Sequence, residues 1–312
     1  MKQTHLIYVL SDAPEQVTVP LETTLAENSK HQFKVIAPHK VFKTDFAEAN
    51  FILIDYQFFE KHQAMFKQSA NFIDKLAIYA TLTNHDEWND ILKSTKIQHF
   101  FGTSGVQLAH QYMQYLNAVL DRNFWSAETF LTPPFSAHSK TEVKTSDQLD
   151  HQIEKIIEKH DLSNCFEGFK PILINILNET LTNALYNAPV DPHGNFLHQK
   201  KNRKSLVTAL ENMAPVVEIT EDSEKMVISV KDFYGTLKRE VVEHYLTNGK
   251  VAEKEGGAGV GMYMIMKHAH QLIINVEPSK MTEFMIVIHK FKRFYHYQGL
   301  EKSFHFFQRS TK

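Results

Sequence analysis

Along the first part of the chain, short apolar runs alternate with stretches in which apolar positions recur every three or four residues. The runs Leu6 to Leu10, Phe33 to Ile36, Phe51 to Asp55, Leu76 to Tyr79 and His99 to Phe101 predict strands. The stretches between them, Leu21 to Glu27, Phe58 to Gln68, Glu87 to Ser94 and Val106 to Leu120, predict amphipathic helices. Strictly alternating strands and helices predict an α/β unit with a doubly wound, parallel, five-stranded sheet. In such sheets ligand chemistry gathers at the carboxyl ends of the strands, where Asp12, Asp55, Thr81 and Thr103 fall.

The rhythm stops after Leu120. Residues 122–147 carry Thr132, Pro133, Pro134, Ser136 and Ser139 and are expected to be a linker. Beyond it, Gln148 to Lys159 has Leu149, Ile153, Ile156 and Ile157 at helix spacing, which suits either a homodimer contact or a helix covering the next domain. An apolar helix is expected from Ile172 to Tyr186. Val216 to Thr220, Met226 to Val230, Leu272 to Val276 and Thr282 to His289 then read as antiparallel strand pairs. The expectation is an α/β sandwich over residues 148–312, helices on one mixed sheet, following an N-terminal domain over residues 1–121.

Composition narrows the function. A chain of 312 residues suits two domains and can bury its own core. The formal charge is −2, so no global basic field attracts nucleic acid or an anionic membrane. Cys165 is the single cysteine, which excludes an internal disulfide and fits a reducing cytoplasm. The apolar runs are too short to span a membrane, and the start reads as a first strand rather than a signal peptide. The 18 histidines are scattered, with no HExxH. The tail from Lys290 interleaves basic and aromatic residues, a pattern that serves either single-stranded nucleic acid or, as preferred here, an extra strand at Phe304-His305-Phe306 packing on the second domain.

Three segments of the second domain carry candidate chemistry. Glu179 and Asn183 are four apart in Asn178-Glu179-Thr180-Leu181-Thr182-Asn183-Ala184, so they share one helix face. A carboxylate beside a carboxamide can place Mg²⁺ and activate a nucleophile near phosphate; a solvated Glu and an exposed Asn would share that spacing too. Asp232 ends a strand and is followed by Phe233-Tyr234-Gly235, where a glycine lets backbone approach a ligand or simply closes a turn. In Gly256-Gly257-Ala258-Gly259-Val260-Gly261 four of the 11 glycines precede a helix pattern, as in a phosphate-wrapping loop or a hinge.

In this order and spacing, the three segments resemble the ATP-binding domain shared by sensor histidine kinases, anti-sigma-factor serine kinases, gyrase-type topoisomerases, heat-shock-ninety chaperones and mismatch-repair ATPases, over about Pro171 to Lys290. The resemblance implies ATP (or ADP) and Mg²⁺ as cofactors. It makes Glu179 the catalytic carboxylate, Asn183 the Mg²⁺ ligand, and Asp232 the acceptor for the adenine amino group. Gly235, Gly257, Gly259 and Gly261 become nucleotide-side backbone, and Thr282 an adenine-supporting residue. The family's Asp-x-Gly-x-Gly is Asp232-Phe233-Tyr234-Gly235-Thr236 here, and its lysine and histidine after the asparagine are Tyr186 and Asn187. A left-handed Tyr234 would cost roughly 1 to 2 kcal/mol; a Tyr234 ring in the adenine pocket would be worse.

The first domain, over about Thr4 to Leu120, resembles a response-regulator receiver, with Asp55 at the phosphoacceptor position. Only Asp12 stands in place of the acidic pair, and the lysine after the fifth strand is absent from Phe100-Phe101-Gly102-Thr103-Ser104, which implies a degenerate receiver. Together the two resemblances imply a cytoplasmic bacterial signal-transduction regulator that binds ATP and Mg²⁺ and controls a partner protein, as a serine kinase or an anti-sigma-type partner switch. The alternatives are a non-catalytic binding module with an impaired nucleotide site and, more weakly, an atypical histidine kinase using His160.

Overall fold

The computed structural model describes residues 6–12, 32–36, 40, 48–62, 66, 76–80, 98–102, 111–112, 114–116, 124–203, 205–246 and 260–309. Among these, the chain divides into two compact units. The first holds the residues up to Trp125 together with Glu301–His305; the second holds Ser126–Leu300 and the residues from Phe306 onward. The structure is mixed α/β, and no helix among the described residues is long and apolar enough to cross a membrane.

In the first unit the apolar runs form strands β1 (Leu6–Leu10), β2 (Gln32–Val35), β3 (Phe51–Asp55), β4 (Leu76–Ala80) and β5 (His99–Gly102). They pair in parallel in the order β2-β1-β3-β4-β5, a doubly wound order. Central strands buried on both faces read as continuous apolar sequence, and Ile52, Leu53 and Ile54 are fully buried. Asp55 ends β3 and caps helix α1 (Tyr56–Lys61), its carboxylate accepting from the Phe58 amide at 3.1 Å. The expected helices Leu21 to Glu27 and Glu87 to Ser94, with Thr81 and Thr103, lie outside the described residues. The described part of Val106 to Leu120 is helical.

The second unit has an antiparallel sheet. Strands β6 (Ala137–Glu142), β7 (Val216–Glu221), β8 (Lys225–Asp232), β9 (Gln271–Glu277) and β10 (Met281–His289) run in the order β9-β10-β8-β7-β6. Central β8 is buried almost throughout, whereas edge strand β6 alternates half-buried and exposed positions and carries Lys140. Helices α2 (Leu149–Ile157), α3 (Phe169–Thr182) and α4 (Val260–His268) pack on one another, with α3 against β8 and α4 against β9. A short helix α5 (Phe294–Gln298) follows β10.

Three expectations change. The stretch expected to be a linker is largely structured: it contains β6, and Ser126 onward belongs to the second unit. Its Ser/Thr-rich composition is that of an edge strand with one wet face. The apolar stripe of α2 is not a free dimer surface, because Ile153, Ile156 and Ile157 are buried in the unit's own core. Finally, the tail does form a strand, β11 (Ser303–Gln308), but Phe304 and His305 pair antiparallel with Phe100 and His99 of the first unit. Phe304, Phe306 and Phe307 are buried, so these rings are core rather than a stacking platform for bases.

The β5–β11 seam depends on Gly102. A Cβ there would sit 1.9 Å from the Lys302 carbonyl oxygen, and the Gly102 amide donates to Ser303 Oγ at 3.1 Å. Since backbone on both sides cannot yield cheaply, Gly102→Ala is expected to destabilise the first unit by about 1 to 3 kcal/mol. Urea unfolding followed through the buried Trp125 fluorescence would measure it; an unchanged midpoint would contradict the seam.

Candidate active site

Helix α3 forms because Ile172, Leu173, Ile176, Leu177 and Leu181 recur at helical spacing and are buried. Its last turn widens into a π-turn over Asn183–Asn187, in which the Ala188 amide donates to the Asn183 carbonyl at 2.9 Å. Glu179, Asn183, Tyr186 and Asn187 consequently line one cleft of about 400 Å³ with Asp232, Gly261, Thr282 and Phe284. Asn183 Oδ1 accepts from the Asn187 amide group at 2.8 Å. The sequence pairing of Glu179 with Asn183 is therefore a shared wall of a concave site.

The floor comes from β8 and β10. Their register places Asp232 opposite Thr282, and both are buried. Asp232 Oδ1 accepts from the amides of Tyr234 at 2.9 Å and Gly235 at 3.3 Å. Desolvation outweighs these hydrogen bonds and raises the Asp232 pKa to about 6. The Thr282 hydroxyl lies near enough to favour the charged carboxylate, yet its Oγ1 makes no hydrogen bond of normal geometry among the described residues. A buried carboxylate beside a buried hydroxyl thus forms a polar pair on the floor of the cleft.

The departure at Tyr234 is resolved by the turn. Gly235 takes the left-handed conformation, with φ 61°, and Tyr234 is not among the residues of positive φ. A Cβ on Gly235 would meet the Glu277 carbonyl oxygen at 2.2 Å, and Ser279 N–H donates to the Gly235 carbonyl at 3.3 Å. Gly235 thus seats the Asp232 turn against the β9–β10 turn, beside the cleft rather than in it. Tyr234 borders a neighbouring concavity with Val190, Leu210, Met213 and Pro278, so neither expected cost of this tyrosine arises.

Gly261, in the first turn of α4, comes so close to Glu179 that a Cβ would lie 1.9 Å from its Oε2. Gly256, Gly257 and Gly259 lie outside the described residues. Three cations that the motifs did not single out, Lys201, Arg203 and Lys238, also line the cleft, and Arg203 donates to Glu179 Oε1 at 3.4 Å. Tyr186, standing where the resembled family has lysine, donates its hydroxyl to the carbonyls of Arg203 at 3.0 Å and Ser205 at 2.6 Å. It ties the segment bearing Arg203 to the end of α3. Only the apolar-to-polar switch after Leu185 hinted at this in the sequence.

Two further candidates lie elsewhere. Asp55, half-buried, caps α1, and desolvation raises its pKa, with the nearby Asp12 charge adding to the rise. Lys61 pairs with Asp12 at 3.3 Å, and among the described residues no group of three or more His, Cys, Asp or Glu side chains could hold a metal ion. A lysine does stand beside the end of β5, but it is Lys302 from the other end of the chain, its pKa lowered by desolvation to about 7. His160 is buried, not a surface residue: Nδ1 lies 3.0 Å from Glu221 Oε1 and Nε2 lies 2.7 Å from Ser139 Oγ. Lys290 bonds the other Glu221 oxygen at 2.9 Å. Desolvation would raise the Glu221 pKa, but the hydrogen bonds from His160 and Lys290 prevail and hold it below the usual value.

Two predictions follow from the Asp232 turn. Its folded pKa of about 6 exceeds the unfolded value of 3.8, so its contribution to stability is complete below about pH 4 and lost as pH rises through about 6. Asp232→Asn keeps the acceptor for both turn amides while removing the buried charge. The variant should therefore be more stable than wild type at pH 7, by up to about 3 kcal/mol at about 1.4 kcal/mol per pKa unit, with the gain vanishing by pH 4. Denaturant unfolding at both pH values checks the sign; a gain at pH 4 would contradict it. Gly235→Ala, strained in φ and against backbone, should cost about 2 to 4 kcal/mol by the same assay, and an unchanged stability would refute the packing role.

No family model matches the chain, and no curated protein matches it.

Proposed function

We propose that the cleft of the second unit binds ATP with Mg²⁺, and that the protein uses this to regulate a partner protein in signalling, as a serine kinase or partner switch. The observation that carries this reading is the pairing of the buried Asp232 carboxylate with the buried Thr282 side chain opposite it at the floor of the cleft. An adenine edge offers a donor to the carboxylate and an acceptor to the hydroxyl. Asp232 is well suited to this because its carboxylate is ionised at neutral pH yet desolvated, which strengthens a hydrogen bond from a ligand.

The other donors fit the remainder of the nucleotide. Asn183 Oδ1 faces the same cleft and is free to take a hard cation once Asn187 releases it, and Lys201, Arg203 and Lys238 supply positive charge for phosphates. Bound Mg²⁺ would neutralise phosphate charge during transfer. Glu179, on the same helix face as Asn183, is the carboxylate able to orient a partner's serine hydroxyl. A second reading, ATP-dependent docking without transfer, is favoured by one contact: Arg203 occupies Glu179 Oε1, and Gly261 abuts its Oε2. His160 is no phosphoacceptor in either version, since its ring is buried between Ser139 and Glu221.

Calorimetry with Mg²⁺ and ATP tests the proposal. Wild type should bind, Asn183→Ala should bind about tenfold more weakly or worse with Mg²⁺ and equally without it, and Asp232→Ala should lose about 1.5 to 3 kcal/mol, the worth of a hydrogen bond to a charged group. No heat and no thermal shift for wild type would overturn it. Binding that Glu179→Gln leaves intact, with no transfer to protein substrate by wild type, would select the docking version.

A further inference from the structure

We propose that Ser139, His160 and Glu221 form a second, independent reactive centre in which Ser139 is a nucleophile toward small carboxylic esters. Serine Oγ to imidazole Nε2 is 2.7 Å and imidazole Nδ1 to carboxylate is 3.0 Å, so nucleophile, base and orienting acid stand in hydrogen-bonded series. The three residues come from β6, the turn after α2, and the end of β7, and no sequence spacing brings them together.

The electrostatics favour base function. Glu221 accepts from His160, which fixes the proton on Nδ1 and leaves Nε2 to accept from the Ser139 hydroxyl. Lys290, at 2.9 Å from the second Glu221 oxygen, balances the charge of that carboxylate. Ser139 is half-buried on edge strand β6, whereas the His160 ring is covered. Thr141 shares Ser139's face of β6, and Lys159 Nζ donates to Thr141 Oγ1 at 3.1 Å, so a cation stands on this strand face two residues along from the serine.

The chemistry balances without a cofactor. Ser139 Oγ adds to the ester carbonyl carbon as its proton passes to His160 Nε2. The alcohol departs with that proton, leaving an acyl-serine and a neutral imidazole. Water, deprotonated by the same nitrogen, then releases the carboxylic acid and restores Ser139.

A fluorophosphonate probe on the folded full-length chain, with peptide mapping by mass spectrometry, tests this. A single adduct on Ser139 is expected, absent from Ser139→Ala and from urea-unfolded wild type, and formed at least about 100-fold more slowly by His160→Gln. Hydrolysis of 4-nitrophenyl acetate should fall in parallel. The nucleotide cleft plays no part, so labelling should be the same with and without added ATP and Mg²⁺. No adduct on Ser139, while a control serine hydrolase is fully labelled, would overturn the proposal. So would equal labelling of native and urea-unfolded protein, a comparison that decides the matter even if His160→Gln fails to fold.

Discussion

Burial of the Asp232 carboxylate is the constraint around which the second unit is organised. A charge removed from water must be met by donors, and two come from the turn that follows it, the amides of Tyr234 and Gly235. That turn can close only with a left-handed residue, and the β9–β10 turn presses so closely on the same position that only glycine fits. The β8–β10 register then sets Thr282 opposite Asp232. These donors, with Thr282 adding to them, do not remove the cost of burial, which is why the carboxyl keeps a raised proton affinity.

The wall of the cleft follows from helix geometry. Residues at positions 179, 183, 186 and 187 share a face through the π-turn, and Tyr186 carries that face outward to the segment holding Arg203.

Local pattern made the strands legible. The five N-terminal strands and the four long antiparallel ones stand within a residue or two of where alternation and apolar runs placed them, because buried strands are written in contiguous sequence. Glu179 and Asn183 were legible for the same reason, as were Asp232 and Thr282 as strand ends. What was not legible depends on register between distant segments. β6 reads as a polar linker because one face of an edge strand is wet. Gly102 reads as a loop residue until Lys302, far along the chain, is laid beside it. His160 reads as a surface residue because its partners, Ser139, Glu221 and Lys290, come from three separate segments. The stripe on α2 reads equally as interface or core, and only packing against α3 decides.

The two acids most prominent in the sequence illustrate the difference between position and environment. Asp55 and Asp232 both end strands. Asp55 is half-buried and is put to use as a helix cap, whereas Asp232 is enclosed and lines a cleft with the buried Thr282 opposite it. In the proposed nucleotide site this enclosed carboxylate is the group that reads a ligand's donor. Carboxyl-carbon NMR of Asp232, titrated with and without ATP and Mg²⁺, tests it most directly. A midpoint near 6 is expected in the free protein, displaced downward when nucleotide is added, because a donated hydrogen bond favours the charged form. A midpoint unmoved by saturating nucleotide would contradict it.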